Sequence, residues 1–189
     1  LSERLGEVGK NMLVVEYGQE IVVIDAGLMF PEEEMLGIDL VLPDFSYLKK
    51  NCQRIRAIIL THGHEDHVGA LPYVLKAINV PVYGTRLTLG LVKAKLEEHH
   101  LLGSVRLKEI QPDRDLRLGS FHLKFIRVCH SVPDGVGLVI ETPLGVVVHS
   151  GDFKLDQTPI DGKMTEFTNF AALGEKNVLV LLSDSTNAE

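Results

Sequence analysis

The sequence predicts an α/β protein built as an αββα sandwich, two sheets packed face to face with helices outside. Three observations predict it. Strand-like apolar runs alternate with a few helical stretches in the order strands, helix, strand, helix, strands, helix, strand, which two packed sheets with outer helices satisfy. Ile21-Val22-Val23-Ile24 is continuously apolar, as a strand covered on both faces should be, and Val178 to Leu182 is fully apolar as well. Acids or histidines end five of the strands, at Asp25, His62, His130, Asp152 and Asp184; strand ends meeting at one rim would set all five beside one cleft.

The elements follow in order. Val8 to Tyr17 and Ile21 to Asp25 read as a hairpin turning at Gly18-Gln19. Leu28 to Ser46, with Pro31, Pro43 and the acidic run Glu32-Glu33-Glu34, reads as a solvated loop. Ser46 is placed to cap a short helix through Lys50. A strand over Ile55 to Leu60 leads into a helix that starts at Asp66-His67 and runs to Leu75. Pro81 to Gly84 is a short strand, and Thr85 to His100 an amphipathic helix with Leu87, Leu91, Val92 and Leu96 inward. His99 and His100 close that helix, where its dipole favours positive charge. Val105 to Ile110, Leu116 to Leu118 and Phe121 to Val128 read as antiparallel strands, and Gly137 to Glu141 pairs with Val146 to His149 across Pro143-Leu144-Gly145. A helix over Thr168 to Leu173 precedes the last strand.

Length and composition narrow the classes. A chain of 189 residues holds one substantial core, and 45% hydrophobic with 24% charged residues excludes a largely disordered chain. No apolar run reaches the length of a membrane span. The charged start Leu1-Ser2-Glu3-Arg4 lacks a signal-peptide pattern, and Cys52 and Cys129 form no disulfide framework. These point to a cytoplasmic protein with reduced thiols, Cys129 serving as a small buried apolar residue. The missing initiator Met and the polar end, Ser183 to Glu189, predict a piece of a longer protein. A net charge of −7 argues against polyanion binding through bulk charge; bound dications would offset it locally, so a nuclease stays in play.

The chemistry concentrates in Thr61-His62-Gly63-His64-Glu65-Asp66-His67. His62 and His64, two apart, project from one side of an extended chain. Asp66 and His67 begin the helix, which aims them at a second centre beside the first. Imidazole and carboxylate together suit zinc and similar divalent ions. A lone histidine is usually a surface or core residue, but three around an Asp on a strand-to-helix turn make an odd accident. Neither Ser150 nor Ser183 sits in a Gly-x-Ser-x-Gly elbow, and no phosphate-binding or dinucleotide fingerprint is present. Lys154 and Lys163 lie near the expected rim, either as phosphate contacts or as ordinary surface lysines.

His62-x-His64-x-Asp66-His67, followed by His130 and Asp152, resembles the signature of the metallo-β-lactamase superfamily. Narrower phrases resemble the ribonuclease J family, its RNA-degrading branch with a β-CASP domain: Leu5 to Asn11, Ile24 to Asp39, His149 to Lys154 and Ser183 to Glu189. The family's usual Gly-Gly before Leu-Gly-Glu is here Glu3-Arg4. The resemblance implies that residues 1–182 form a metallo-β-lactamase-like domain and that 183–189 begin the connection into a β-CASP domain. It implies two Zn2+, with Mn2+ or Mg2+ as alternatives in the cell: His62, His64 and His130 on one, Asp66 and His67 on the other, and Asp152 bridging. A further histidine would come from beyond Glu189. Asp25 would orient a ligand without touching metal, Asp184 would act in leaving-group protonation with a partner from downstream, and a structural Ca2+ would sit near Gly37 and Asp39.

The function implied is hydrolysis of RNA phosphodiesters, endonucleolytic and 5′ to 3′ exonucleolytic, by a hydroxide between two metals, in a full-length dimer or tetramer. The 189 residues alone would be weakly active or inactive. Three other readings stand beside it: a lactam, thioester or lactone hydrolase of the same fold; a di-iron oxygen reductase, which carries Glu where this chain has His64; and a non-catalytic, metal-stabilised RNA-binding domain.

Overall fold

The computed structural model describes residues 9–186. Among the described residues the chain forms two five-stranded sheets and five short to medium α-helices, in four layers: helices, sheet, sheet, helix.

The first sheet holds β1 (Leu13–Tyr17), β2 (Glu20–Ile24), β3 (Ile55–Ile59), β4 (Val82–Gly84) and β5 (Leu107–Glu109), in that order. β1 and β2 are the expected antiparallel hairpin; β2 to β5 run parallel. The second sheet holds β6 (Leu116–Leu118), β7 (Phe121–Val128), β8 (Gly135–Thr142), β9 (Gly145–His149) and β10 (Val178–Leu182), with β10 parallel to β9 and the other pairs antiparallel. Side chains alternate across each strand, and the alternation splits the core. Val22, Ile24 and Ile59 face the second sheet's Phe121, Leu123, Phe125 and Leu138. Ile21, Val23, Ile58 and Leu60 face outward, against α1 (Ser46–Lys50), α2 (Glu65–Val68), α3 (Leu71–Ala77) and α4 (Arg86–Glu98). This double covering is why Ile21 to Ile24 carries no polar residue.

Several expectations need correction. The residues 105–110 strand joins the first sheet parallel to β4 rather than an antiparallel set with β6 and β7. β1 starts at Leu13, while Val8 lies outside the described residues. The helix after the histidine turn is broken in two, because the Ala70 N–H leaves the helical ladder to donate to Ala26 O at 2.9 Å. Ser46 does not cap α1 with its side chain; instead its N–H donates to Asp44 Oδ1 at 2.9 Å. In α4 the buried stripe is Thr88, Leu89, Val92 and Leu96, whereas Leu87 and Leu91 are 40% and 44% exposed. A helix packed along 88, 89, 92 and 96 turns 87 and 91 toward its flank. The last helix, α5 (Phe167–Ala171), passes into a 3-10 turn over 172–175. Of β10, Val180 and Leu182 reach the core between the sheets, while Leu179 and Leu181 are exposed on its outer side.

An ionic cluster ties β7, β8 and the segment leading into β10 together. Glu141 takes Lys176 at 2.6 Å, His122 at 2.8 Å and Lys124 at 3.1 Å. The Lys176 bond above all, with Lys124 and His122, holds the Glu141 carboxyl down at about 2 against an ordinary 4.5. A carboxyl lowered on folding stabilises the fold above its unfolded value and loses that contribution as pH falls through the window from about 4.5 to about 2. Glu141→Gln should lower the urea midpoint at pH 7, and the gap from the parent should narrow as pH drops through that window. A gap that stays constant down to pH 3 would contradict the assignment.

Candidate metal centre

The site is built where β2 and β3 end side by side. Asp25, one residue past β2, adopts φ 60°, a left-handed conformation uncommon outside glycine. The backbone strain of such a residue, about 1–3 kcal/mol, is offset by what its buried carboxylate gathers. Oδ1 accepts the Thr61 N–H at 2.8 Å; Oδ2 accepts the Thr61 hydroxyl at 2.7 Å and His67 Nδ1 at 2.8 Å.

Beyond Asp25 the chain lies directly against the 65–67 turn. Ala26 N donates to His67 O at 2.8 Å, Leu28 N to Glu65 O at 3.1 Å, and Asn11 N to Asp66 O at 3.0 Å. Gly27 permits this approach, since a Cβ there would lie 1.4 Å from Asp66 O. A Cβ on Gly63 would meet only the tip of Leu91, at 2.4 Å.

Two groups of ligand-type atoms result, each with its atoms within 4.8 Å of one another: His62, His64 and His130, and then His62, His67 and Asp152. In the first, His64 Nδ1 lies 3.0 Å from His62 Nε2 and 3.3 Å from His130 Nε2. Asp152 stands between the groups. Its Oδ2 faces His130 Nε2 at 3.7 Å and His62 Nε2 at 4.0 Å, while Oδ1 faces His67 Nε2 at 3.3 Å. Asp66 sits at the side: Oδ2 is 3.6 Å from His67 Nε2 and accepts the Asn11 amide at 3.1 Å, but the carboxylate falls outside both groups.

Electrostatics favour a cation here. Burial, helped by the His67 charge, holds His62 down at about 3, and burial lowers His130. Both are therefore neutral imidazoles with a lone pair to offer. Burial opposes charge on His67 too, but Asp25 and Asp152, one at each ring nitrogen, outweigh it and push the group up to about 10. Burial raises Asp152, yet the hydrogen bond and charge of His67 outweigh it and hold the carboxyl at about 2. Two carboxylates converging on one buried imidazole demand positive charge at that point, which a proton or a divalent ion can meet. His64 Nδ1 cannot pair fully with both of its neighbours, because a ring nitrogen offers either one hydrogen or one lone pair. His130 Nδ1 is buried with no hydrogen-bond partner among the described residues. The donor set, neutral imidazole and carboxylate, fits a divalent ion of the zinc type.

The other expected residues are placed as follows. Asp184 lies beside the centre: its Oδ2 accepts the N–H of Phe153, next to Asp152, at 3.4 Å, and its Oδ1 accepts that of Thr186 at 2.8 Å. Gly37 and Asp39 lie on the exposed loop and belong to no converging ligand group among the described residues. Lys154 and Lys163 line one cavity with Arg127, His130 and Ser131, which Asp134, Asp156 and Asp161 also border. His99 stacks edge-on against Tyr73, with ring centroids 5.2 Å apart. Sequence reasoning missed Asn11, whose amide is also 3.0 Å from His67 Nε2, and Ser131, whose hydroxyl is 3.2 Å from His64 Nε2. It also missed Thr61 and His149, the latter accepting the Gly151 N–H at 3.0 Å. Asn11 ends one of the distinctive phrases and Thr61 opens the histidine stretch, so position alone could have marked both.

The fold and the paired histidine groups define a class. Residues 5–169 match the family model described as the metallo-β-lactamase superfamily, and the chain belongs to that superfamily. Within it, the chain is similar to ribonuclease J from Thermus thermophilus, 51% identical over 98% of this chain and 34% of that protein. It is similar also to ribonuclease J 1 from Streptococcus pyogenes serotype M3, 48% identical over 98% of this chain and 33% of that protein. The chain thus spans about a third of the length of the curated relatives it matches. Among solved structures, unliganded yeast PDE1 matches with a TM-score of 0.67 at 12% identity, covering 97% of this chain and 73% of that one. A metallo-β-lactamase HARLDQ-motif mutant from Cronobacter sakazakii matches with a TM-score of 0.61 at 16% identity, covering 95% and 75%. At these identities the structural likeness concerns the fold.

Gly27→Ala should cost more than about 3 kcal/mol, above the usual overpacking range because the clash is with backbone. Gly63→Ala, which displaces only a side-chain tip, should cost under about 1 kcal/mol. Urea midpoints of the two variants check this; equal losses would contradict the docking of residues 25–28 on the turn.

Proposed function

We propose that the protein carrying this chain is a metal-dependent ribonuclease that hydrolyses RNA phosphodiesters, as an endonuclease and from the 5′ end. The observation that carries the hydrolytic reading is Asp152, with one oxygen turned to His62 and His130 and the other to His67. The RNA reading is supported by the similarity to ribonuclease J at 48–51% identity. Two divalent ions, Zn2+ or else Mn2+ or Mg2+, would supply an acidified water and positive charge against the phosphoryl oxygens.

The chain's own residues have defined tasks in this reading. His62, His64 and His130 would hold one ion and His67 with Asp66 the other, with the Asp152 carboxylate between the two groups. Asp25 fixes the His67 ring through Nδ1, and the Asn11 amide steers the Asp66 carboxylate. Lys154 and Lys163, beside His130, contact a phosphate flanking the scissile one. Asp184, next to the backbone of Asp152, takes part in returning a proton to the leaving oxygen together with a group outside this chain. Residues 1–182 form the catalytic unit and 183–189 lead into a further domain. A cytoplasmic location and a dimeric or tetrameric full-length protein belong to the same reading. Among the described residues no helix is long and apolar enough to cross a membrane.

His62→Ala or Asp152→Ala in the intact protein should lower RNA cleavage by at least about a thousandfold with the circular-dichroism spectrum retained. Cleavage of end-labelled RNA at the parent rate by either folded variant would refute the proposal. Lys154→Ala with Lys163→Ala should raise KM for RNA several-fold and leave kcat near the parent value, measured by steady-state kinetics.

A further inference from the structure

The Thr61 hydroxyl sits where both histidine groups meet the Asp25 carboxylate. Its oxygen lies 2.7 Å from Asp25 Oδ2, 3.0 Å from His62 Nδ1 and 3.4 Å from His67 Nδ1, and the residue is fully buried. Counting hydrogens decides which way each bond runs. A hydroxyl has one hydrogen to give and lone pairs to accept with, and a carboxylate oxygen only accepts. The Thr61 hydrogen therefore goes to Asp25 Oδ2. Toward His62 the hydroxyl can then only accept, which requires the hydrogen of that imidazole to be on Nδ1. The same carboxylate oxygen, 2.8 Å from His67 Nδ1, places a hydrogen there as well. Each ring is left with Nε2 turned toward Asp152, at 4.0 Å for His62 and 3.3 Å for His67.

We propose that Thr61 is a positioning residue whose hydroxyl, donating to Asp25 and accepting from His62, fixes the tautomer of His62 so that Nε2 offers its lone pair to the bound cation. The inference rests on the metal reading above. One carboxylate thereby orients an imidazole in each ligand group, directly for His67 and through a hydroxyl for His62. Without that hydroxyl, the His62 Nδ1 hydrogen would be a buried donor facing nothing, which is costly. The ring has an escape: with its hydrogen on Nε2 it can donate to His64 Nδ1, 3.0 Å away. That bond would use up two of the lone pairs the cation needs.

Valine matches threonine in shape but lacks the hydroxyl, and serine keeps the hydroxyl without the methyl, so the two substitutions separate packing from hydrogen bonding. The test uses the intact protein, labelled with 15N-histidine and stripped of metal with a chelator. Two-bond proton–nitrogen correlation at pH 7 reads which His62 nitrogen carries hydrogen, with signals assigned through His62→Gln. The parent and Thr61→Ser should show hydrogen on Nδ1, and Thr61→Val should show it on Nε2. In competition with a chromophoric chelator, Thr61→Val should bind Zn2+ about 10–100-fold more weakly, and Thr61→Ser within about threefold of the parent. A tautomer unchanged in Thr61→Val, or a serine variant as weak as valine, overturns the inference. Should Thr61→Val fail to fold, the parent spectrum decides: hydrogen on Nε2 of His62 there overturns it outright. Neither readout involves RNA, so a protein that fails to cleave RNA but behaves this way loses only the substrate assignment.

Discussion

The Asp25 carboxylate is the joint on which the site hangs. It is buried at the end of one strand, in a backbone conformation few residues adopt, and it binds both Thr61, two residues past the next strand, and a histidine on the following turn. A buried carboxylate without partners would be prohibitively costly, so the three hydrogen bonds are conditions of its being there. Once they are satisfied, the ends of β2 and β3 and the 65–67 turn are locked in one geometry. Asn11 and Gly27 complete the lock from the other side through backbone bonds that tolerate no side chain at residue 27.

The two sheets supply the rest. Asp25 and the residue 61–67 stretch come from the first sheet, and His130, Asp152 and Asp184 follow strands of the second. Packing of the inner faces sets these strand ends opposite one another, so a divalent site forms from segments as far apart as residues 62 and 152. The burial that makes His62 and His130 neutral also sharpens the pull of Asp25 and Asp152 on His67. Stability and chemistry thus share one cause: polar groups deprived of water that only a cation and a fixed hydrogen-bond pattern can satisfy.

Much of this was legible in the sequence. A continuous apolar run ending in Asp25, and another ending in three histidines, announced strands delivering ligands to a rim, and the sandwich followed from the order of elements. What escaped had physical reasons. The pairing of residues 107–109 with β4 is a long-range choice that no local pattern encodes. Leu87 and Leu91 carry the right spacing for burial, but α4 packs through a stripe rotated from theirs, with Leu91 reaching over Gly63. The helix after His67 breaks because Ala26 captures an N–H from another element. Thr61 and Asn11 are ordinary polar residues until distance places them on a histidine, and only the three-dimensional arrangement reveals what their hydrogens do.

The hydrolytic reading requires that the two ligand groups, with Asp152 between them, hold two divalent ions. Anomalous diffraction from crystals of the intact protein, with data above and below the zinc and manganese absorption edges, tests it most directly. Two peaks are expected, one among His62, His64 and His130 and one beside His67, each in contact with an oxygen of Asp152. A centre with no anomalous peak after growth in saturating metal, or an ion bound elsewhere with His130 and Asp152 turned away, would contradict it.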